Sequence, residues 1–306
     1  MREPYDCIVV GAGPAGLTAA LYLARYRRSV LVVHDGTSRA LRIPRTHNVP
    51  GFPGGVRGRT LISRMERQAK IYGAEIRRLK VDHVREHEKD GFQILSAEGR
   101  LTARTVIAAT GVRMNQPDLP DDAHEAAMRA GVLRYCPICD GYEARDRRIA
   151  VLGSDHRGAA EALFLRQYTT SVALIAVRAL DLTPHDRRRL DEARIEVIES
   201  PVAQLTPSDV AMEVAFEDGE TRSFDVLYPA LGCAPRTALL EALDPPSDQD
   251  GAIITAKNQA VRPDGLFVAG DVVEALDQIS VAIGHGAIAA THAHRRLRRL
   301  DGDAIE

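Results

Sequence analysis

Short unbroken apolar runs, each followed by a glycine turn, set the rhythm of this chain. Cys7-Ile8-Val9-Val10 reads as a strand buried on both faces, because four consecutive apolar residues leave no polar side for solvent. The run turns through Gly11 to Gly16 and continues from Leu17 towards Tyr26 as a helix, and Ser29 to Val33 follows as a second strand. The same order recurs further on, with Ile149-Ala150-Val151-Leu152, a turn from Gly153 to Gly158, a helix from Ala159 to about Arg166, and a strand from Val172 to Val177. No short repeat, low-complexity tract or heptad run accompanies this duplication.

Two strand-turn-helix-strand units predict an α/β fold made of two Rossmann-like three-layer dinucleotide-binding domains. Turn-rich segments at Pro117 to Asp122 and at Asp244 to Gly251 flank the middle region and mark candidate crossings. The second domain, 116–246, is then inserted into a discontinuous first domain formed by 1–115 and 247–306.

Composition narrows the setting. A chain of 306 residues with 45% apolar and 27% charged residues and a net charge of -2 is an ordinary globular chain with room for two cores. That balance does not point to nucleic acid. Arg295, Arg296, Arg298 and Arg299 end a helix predicted to begin near Ile279, where the helix dipole favours solvated cations. No apolar stretch has the length of a bilayer span, and the run from Cys7 lacks the basic leader and cleavage site of a signal peptide, so a cytoplasmic protein without a membrane segment is expected. Four cysteines are too few for a secreted disulfide framework, and Cys7 and Cys233 stand alone in apolar surroundings as expected core residues.

The first turn, Gly11-Ala12-Gly13-Pro14-Ala15-Gly16, matches GxGxxG between a strand and a helix. Gly11 permits the tight turn, Gly13 the approach of backbone to a pyrophosphate, and Gly16 the close packing of helix on strand, while the helix N-terminus favours the anion. Asp35 ends the second strand and is the candidate for ribose hydroxyls, with turn formation before Gly36 as the alternative. Two further glycine turns follow strands, Ala109-Thr110-Gly111 after Thr105 to Ala108, and Gly270-Asp271 after Leu266 to Ala269. Together these three segments resemble the flavin-site motifs of two-domain flavoprotein reductases. The resemblance implies FAD at the first turn, Asp271 near its ribitol or phosphates, and Gln278 with Ile279 approaching the ring from the start of the last helix.

Cys136-Pro137-Ile138-Cys139-Asp140 carries the second chemical signal. A CxxC pair can close into a small disulfide, and its thiolate can exchange with another disulfide. Zinc and a structural disulfide are the competing readings; no second CxxC appears, and a cytoplasmic compartment disfavours a structural bridge. With this motif in the inserted domain, the chain resembles low-molecular-weight thioredoxin reductases over nearly its full length. That resemblance implies that Cys139 faces the flavin, Cys136 exchanges with a thioredoxin-like or small disulfide substrate, and Asp140 serves as acid or base. It further implies a homodimer and domain rotation.

The second turn departs from the pattern. Gly153-Ser154-Asp155-His156-Arg157-Gly158 places Asp155 where the middle glycine should be, and a carboxylate there obstructs and repels a pyrophosphate. The basic motif expected for the extra phosphate of NADPH is reduced to Arg178 in Ala176-Val177-Arg178, with Arg157 as a second candidate. Binding of NADPH is therefore left open beside NADH, ferredoxin or another ligand. The leading expectation is a FAD-dependent disulfide oxidoreductase. Its alternatives are an oxygen-dependent dithiol oxidase, a class that typically has His after the second cysteine, and a flavin-binding regulatory module without turnover.

Overall fold

The computed structural model describes residues 3–87 and 91–303. In chain order the first stretch contains β1 (Tyr5–Val10), α1 (Pro14–Arg25), β2 (Val30–His34), α2 (Gly58–Ile71), β3 (Glu75–Arg78), β4 (His83–His87), β5 (Gly91–Ser96), β6 (Gly99–Ala108) and β7 (Val112–Met114). The middle contains α3 (Asp121–Ala130), α4 (Pro137–Asp140), β8 (Ile149–Leu152), α5 (His156–Leu165), β9 (Val172–Ile175) and α6 (Pro184–Glu192). There follow β10 (Glu196–Ile198), β11 (Val202–Pro207), β12 (Met212–Phe216), β13 (Thr221–Phe224), β14 (Val226–Pro229) and β15 (Cys233–Pro235). The chain closes with β16 (Ala260–Val261), β17 (Leu266–Val268) and α7 (Ile279–Leu300).

Two compact units result. One comprises Met1–Arg45, Val49–Arg113 and Ala234–Glu306, and the other Thr46–Asn48 and Met114–Cys233. The second crossing therefore falls at 233/234 rather than near 246. Leu239, Leu240 and Leu243, on a tight turn from Ala238 to Leu243, pack with Val84 and Ile253 in the core of the first unit. The apolar contacts of that turn outweigh the loop signal of the following Pro- and Asp-rich segment.

The first unit is built on a sheet of order β16-β17-β6-β1-β2-β3. Its β17-β6-β1-β2-β3 part is parallel, and Cys7, Ile8 and Val9 are fully buried within it, as the unbroken apolar run requires. One face packs on α1 and α7 through Ala15, Ala19, Ala289 and Ala293. The two helices approach so closely that a Cβ at Gly286 would lie 2.2 Å from the Ala15 carbonyl oxygen. The outer layer on the opposite face is formed by the β4-β5 hairpin, continuing antiparallel from the N-terminal half of β6, together with the short 3-10 turn Ala238–Leu243.

The second unit repeats the plan on a parallel sheet of order β10-β9-β8-β14. Ala159, Ala162 and Leu165 of α5 and Leu190 of α6 cover one face. The antiparallel meander β11-β12-β13 and α3 cover the other through Met212, Val214, Phe224 and Ala127.

Some sequence expectations shift. The strand expected to reach Val177 ends at Ile175, and Val177 is exposed. Cys233, expected in the core, is half-buried, because it opens the short strand β15 of the two-stranded β15-β7 sheet and lies outside both parallel sheets. Arg296, expected as a solvated helix end, is buried and pairs with Asp264 at 2.9 Å. It continues the buried Ala289 and Ala293 at helical spacing on the inward face of α7, whereas Arg295, Arg298 and Arg299 are exposed. No helix among the described residues is long and apolar enough to cross a membrane.

Candidate active site

In the first unit, three loops at the carboxyl ends of parallel strands meet at the first glycine turn, the usual position of ligands in open α/β sheets. Gly11, at φ +115°, needs its glycine, because a Cβ there would stand 2.1 Å from the Ala109 carbonyl oxygen. Gly16 needs its own against Gly11, where the same test gives 1.9 Å. Gly13 differs: a Cβ would meet only the Ser38 hydroxyl at 3.4 Å, so nothing in the protein demands glycine at this N-cap of α1. Pro14 opens the helix, where its missing N–H costs no bond. Gly270, at φ +84°, brings the loop after β17 against Ala15. Thr110 and His285 each keep a buried polar atom, Oγ1 and Nδ1, without a hydrogen-bond partner. A ring of glycines, a helix N-terminus and orphaned polar atoms is a cradle that suits a polar dinucleotide.

A charged cluster borders that cradle. Arg39 Nη1 donates to Asp271 at 3.3 Å and to Asp277 at 3.1 Å. Burial pushes the Asp277 carboxyl up to about 6, reinforced by the charge of Asp271 and opposed by Arg39. Burial likewise raises Asp271 against the pull of Arg39, and it lowers His285. Gln278 caps α7 with extended backbone and Ile279 is its first residue. Asp35 makes the turn given as its alternative, accepting from the Thr37 amide at 2.9 Å and hydroxyl at 2.6 Å, while Oδ2 faces Arg236 at 3.6 Å. Burial alone would raise its carboxyl; the Thr37 bonds and Arg236 outweigh that and hold it low.

In the second unit, Cys136 and Cys139 are joined as a disulfide, which leaves neither thiolate for a metal. Cys136 is the N-cap of α4, its sulfur accepting from the Cys139 amide at 3.2 Å, and Pro137 starts the turn. Asp140 ends it. Its Oδ1 accepts from the Tyr228 hydroxyl at 2.8 Å and its Oδ2 lies 3.5 Å from Arg134. Burial pushes the carboxyl up to about 6, with Arg134 and Tyr228 holding it from rising further. Such a carboxyl can give or take a proton near neutral pH. His47 and Asn48, which cluster with this unit, pair with Glu143 at 2.9 Å and reach the Ile138 carbonyl at 3.5 Å. Cys7, by contrast, is pushed up to about 12 by burial, so its thiol is inert.

The second glycine turn shares the extended N-cap of the first, lacks the positive φ of Gly11 and has a different interior. Gly153 and Gly158 are close-packed, a Cβ on Gly153 lying 3.0 Å from the Gly158 Cα. Asp155, at the position matching Gly13, is the N-cap of α5 and accepts from the amides of Arg157 at 3.0 Å and Gly158 at 3.4 Å. The Ser154 hydroxyl accepts from the amides of Val177 and Arg178 and donates to the Arg178 carbonyl at 3.0 Å.

The sequence reading missed Arg39, Arg134, Tyr228, Asp277 and His285. Arg39 and Tyr228 lie 232 and 88 positions from the carboxylates they serve, beyond any local pattern. Asp277, directly before Gln278, was the one a local inspection could have found.

Comparison with known proteins agrees over the whole chain. Residues 5–286 match the family model of pyridine nucleotide-disulphide oxidoreductases. The chain is similar to the thioredoxin reductase of Peptoclostridium litorale, 31% identical with 98% of this chain and 99% of that protein covered. Among solved structures it is similar to thioredoxin reductase from Streptococcus pyogenes, with a TM-score of 0.90 at 27% identity, covering 98% of this chain and 100% of that one. The crystal structure of HlmI is similar too, with a TM-score of 0.89 at 31% identity over 99% of this chain and 95% of that one.

Proposed function

We propose, for a chain that belongs to the pyridine nucleotide-disulphide oxidoreductases and within them to the low-molecular-weight thioredoxin reductases, that its first unit holds FAD and that thioredoxin or a similar disulfide is its substrate. The enzyme is a thioredoxin reductase-like flavoprotein disulfide oxidoreductase with Cys136 and Cys139 as its redox pair. The observation that carries this reading is the closed disulfide beside a carboxyl, Asp140, that burial raises to about 6 and that Tyr228 and Arg134 hold.

FAD would lie along Gly11, Gly13, Pro14, Ala15 and Gly16, with Asp35 towards its ribose. Ala109, Thr110, Gly111, Gly270, Asp271, Gln278 and Ile279 would line the remainder. The orphaned Thr110 hydroxyl and the open face of Gly13 support this placement. When bound, FAD supplies a two-electron couple for the cysteine pair. Once the pair is reduced, the Cys136 thiolate attacks a substrate disulfide, forming a mixed disulfide and releasing one substrate thiolate. Cys139 then attacks the Cys136 sulfur, restoring the internal disulfide and releasing the second thiolate. Asp140 delivers a proton to the departing thiolate and accepts one from the attacking thiol. Family members work as homodimers, and the same assembly is proposed here.

The test is an anaerobic titration of the purified FAD-loaded protein with dithiothreitol. The wild type should bleach; Cys139→Ser should keep its flavin spectrum and lose at least about a thousandfold in bleaching rate, the loss expected when a nucleophile is removed. Unchanged bleaching of Cys139→Ser would remove Cys139 from the flavin-facing role.

A further inference from the structure

The electron donor typical of this family is a nicotinamide dinucleotide, and the second unit is where it would bind. Three features of that unit do not fit such a ligand. A Rossmann turn receives a pyrophosphate on the unpaired amides at the start of the helix, with backbone in contact. Here the Asp155 carboxylate already accepts from the Arg157 and Gly158 amides, at 3.0 and 3.4 Å, so an anion of the protein stands where the ligand's anion would sit. Incoming phosphates would face both a lost donor pair and a like charge.

The second feature is the loop after β9, which in this fold reads the adenosine ribose. Ser154 ties it down through Val177, Arg178 and the Arg178 carbonyl, and the Asp181 amide donates to the Ser154 carbonyl at 2.6 Å. The third is chemistry. Where an acidic residue would accept the ribose hydroxyls of NADH, Ala176 and Val177 stand, and for the extra phosphate of NADPH the end of β9 offers Arg178 in place of a basic cluster. The outer glycines have a packing role of their own, since an added Cβ on Gly153 would lie 3.0 Å from the Gly158 Cα.

We infer that the second unit is closed to NADPH and NADH by the Asp155 cap, and that the flavin of this enzyme exchanges electrons with a donor that is not a nicotinamide. The binding statement stands by itself; its redox consequence rests on the flavin and dithiol reading above.

The experiment is isothermal titration of the FAD-loaded protein with NADPH, NADH and adenosine 2′,5′-bisphosphate up to about 1 mM, a range that covers binding of ordinary strength. Anaerobic absorbance is recorded in parallel, with dithiothreitol as control. The wild type should give no saturable binding and no bleaching by either dinucleotide, while dithiothreitol bleaches it. Asp155→Gly frees the two amides and should gain saturable NADPH binding at least about tenfold tighter than the wild-type limit. Asp155→Asn keeps a capping oxygen and should remain closed.

Saturable binding of NADPH or NADH to the wild type overturns the inference. A lack of gain in Asp155→Gly, with flavin content and melting temperature preserved, overturns the assignment of the block to Asp155. Failure of dithiothreitol to bleach the flavin would count against the dithiol reading and leave the binding result to be judged separately.

Discussion

The two glycine turns are a controlled comparison within one chain. Both follow a buried parallel strand, both open a helix, and both keep closely packed outer glycines: added Cβ atoms would fall within 2.1 Å of neighbouring backbone at Gly11 and Gly16, which only glycine tolerates, and at a tight 3.0 Å at Gly153. They differ at the middle position. Gly13 has room for a Cβ, in ordinary contact with the Ser38 hydroxyl at 3.4 Å, and Asp155 has a carboxylate folded onto its own helix. The outer glycines therefore report on folding and the middle one on ligand binding, so a turn can retain a dinucleotide fold after losing the site. The surroundings agree: the first turn keeps the Thr110 hydroxyl unpaired in its loops, whereas Ser154 in the second is fully engaged.

The largest expected effect comes from moving the difference across. Gly13→Asp would create in α1 the cap that Asp155 forms in α5; the site has room, and both N-caps have extended backbone. The variant should fold, with unchanged far-UV circular dichroism, and lose FAD affinity by at least about a hundredfold, measured as flavin retained through gel filtration. Retention of flavin at wild-type levels would break the comparison.

A smaller effect concerns the body of α5. Burial pushes Glu161 up to about 7 from 4.5, and its Oε2 is buried without a hydrogen-bond partner. A raised acid contributes stability that is full below 4.5 and is lost as pH rises through about 7. Glu161→Gln should therefore be more stable than the wild type by roughly 2–3 kcal/mol at pH 8 and not at pH 4, as read from urea midpoints. A pH-independent difference would refute the assignment.

The smallest effect lies at the dithiol. Tyr228→Phe removes a donor to the Asp140 carboxylate, which raises its pKa above about 6. The acid limb of dithiol-dependent bleaching should move up by about one pH unit, the worth of a hydrogen bond to a charged group. The same limb should be absent in Asp140→Asn. A profile for Tyr228→Phe that overlays the wild type would detach Tyr228 from the proton chemistry.

Much of this was local and therefore readable in sequence. Apolar runs of four residues specify buried parallel strands, glycines at fixed offsets specify the turns, and Cys136 with Cys139 at a spacing of three specifies a pair that one helical turn brings together. Asp155 was visible as a departure for the same reason. What the tertiary structure alone decided is how distant side chains meet. The Arg39 bridge to Asp271 and Asp277, the Tyr228 bond to Asp140 and the burial of Arg296 on Asp264 join residues whose neighbours in sequence say nothing of their partners in space. The crossing at 233/234 was decided the same way, by leucines finding the first core across the sheet. Periodicity fixes which face of an element is apolar, while the identity of the element it packs against, and so the pKa of every buried carboxyl, depends on contacts between parts of the chain that only folding brings together.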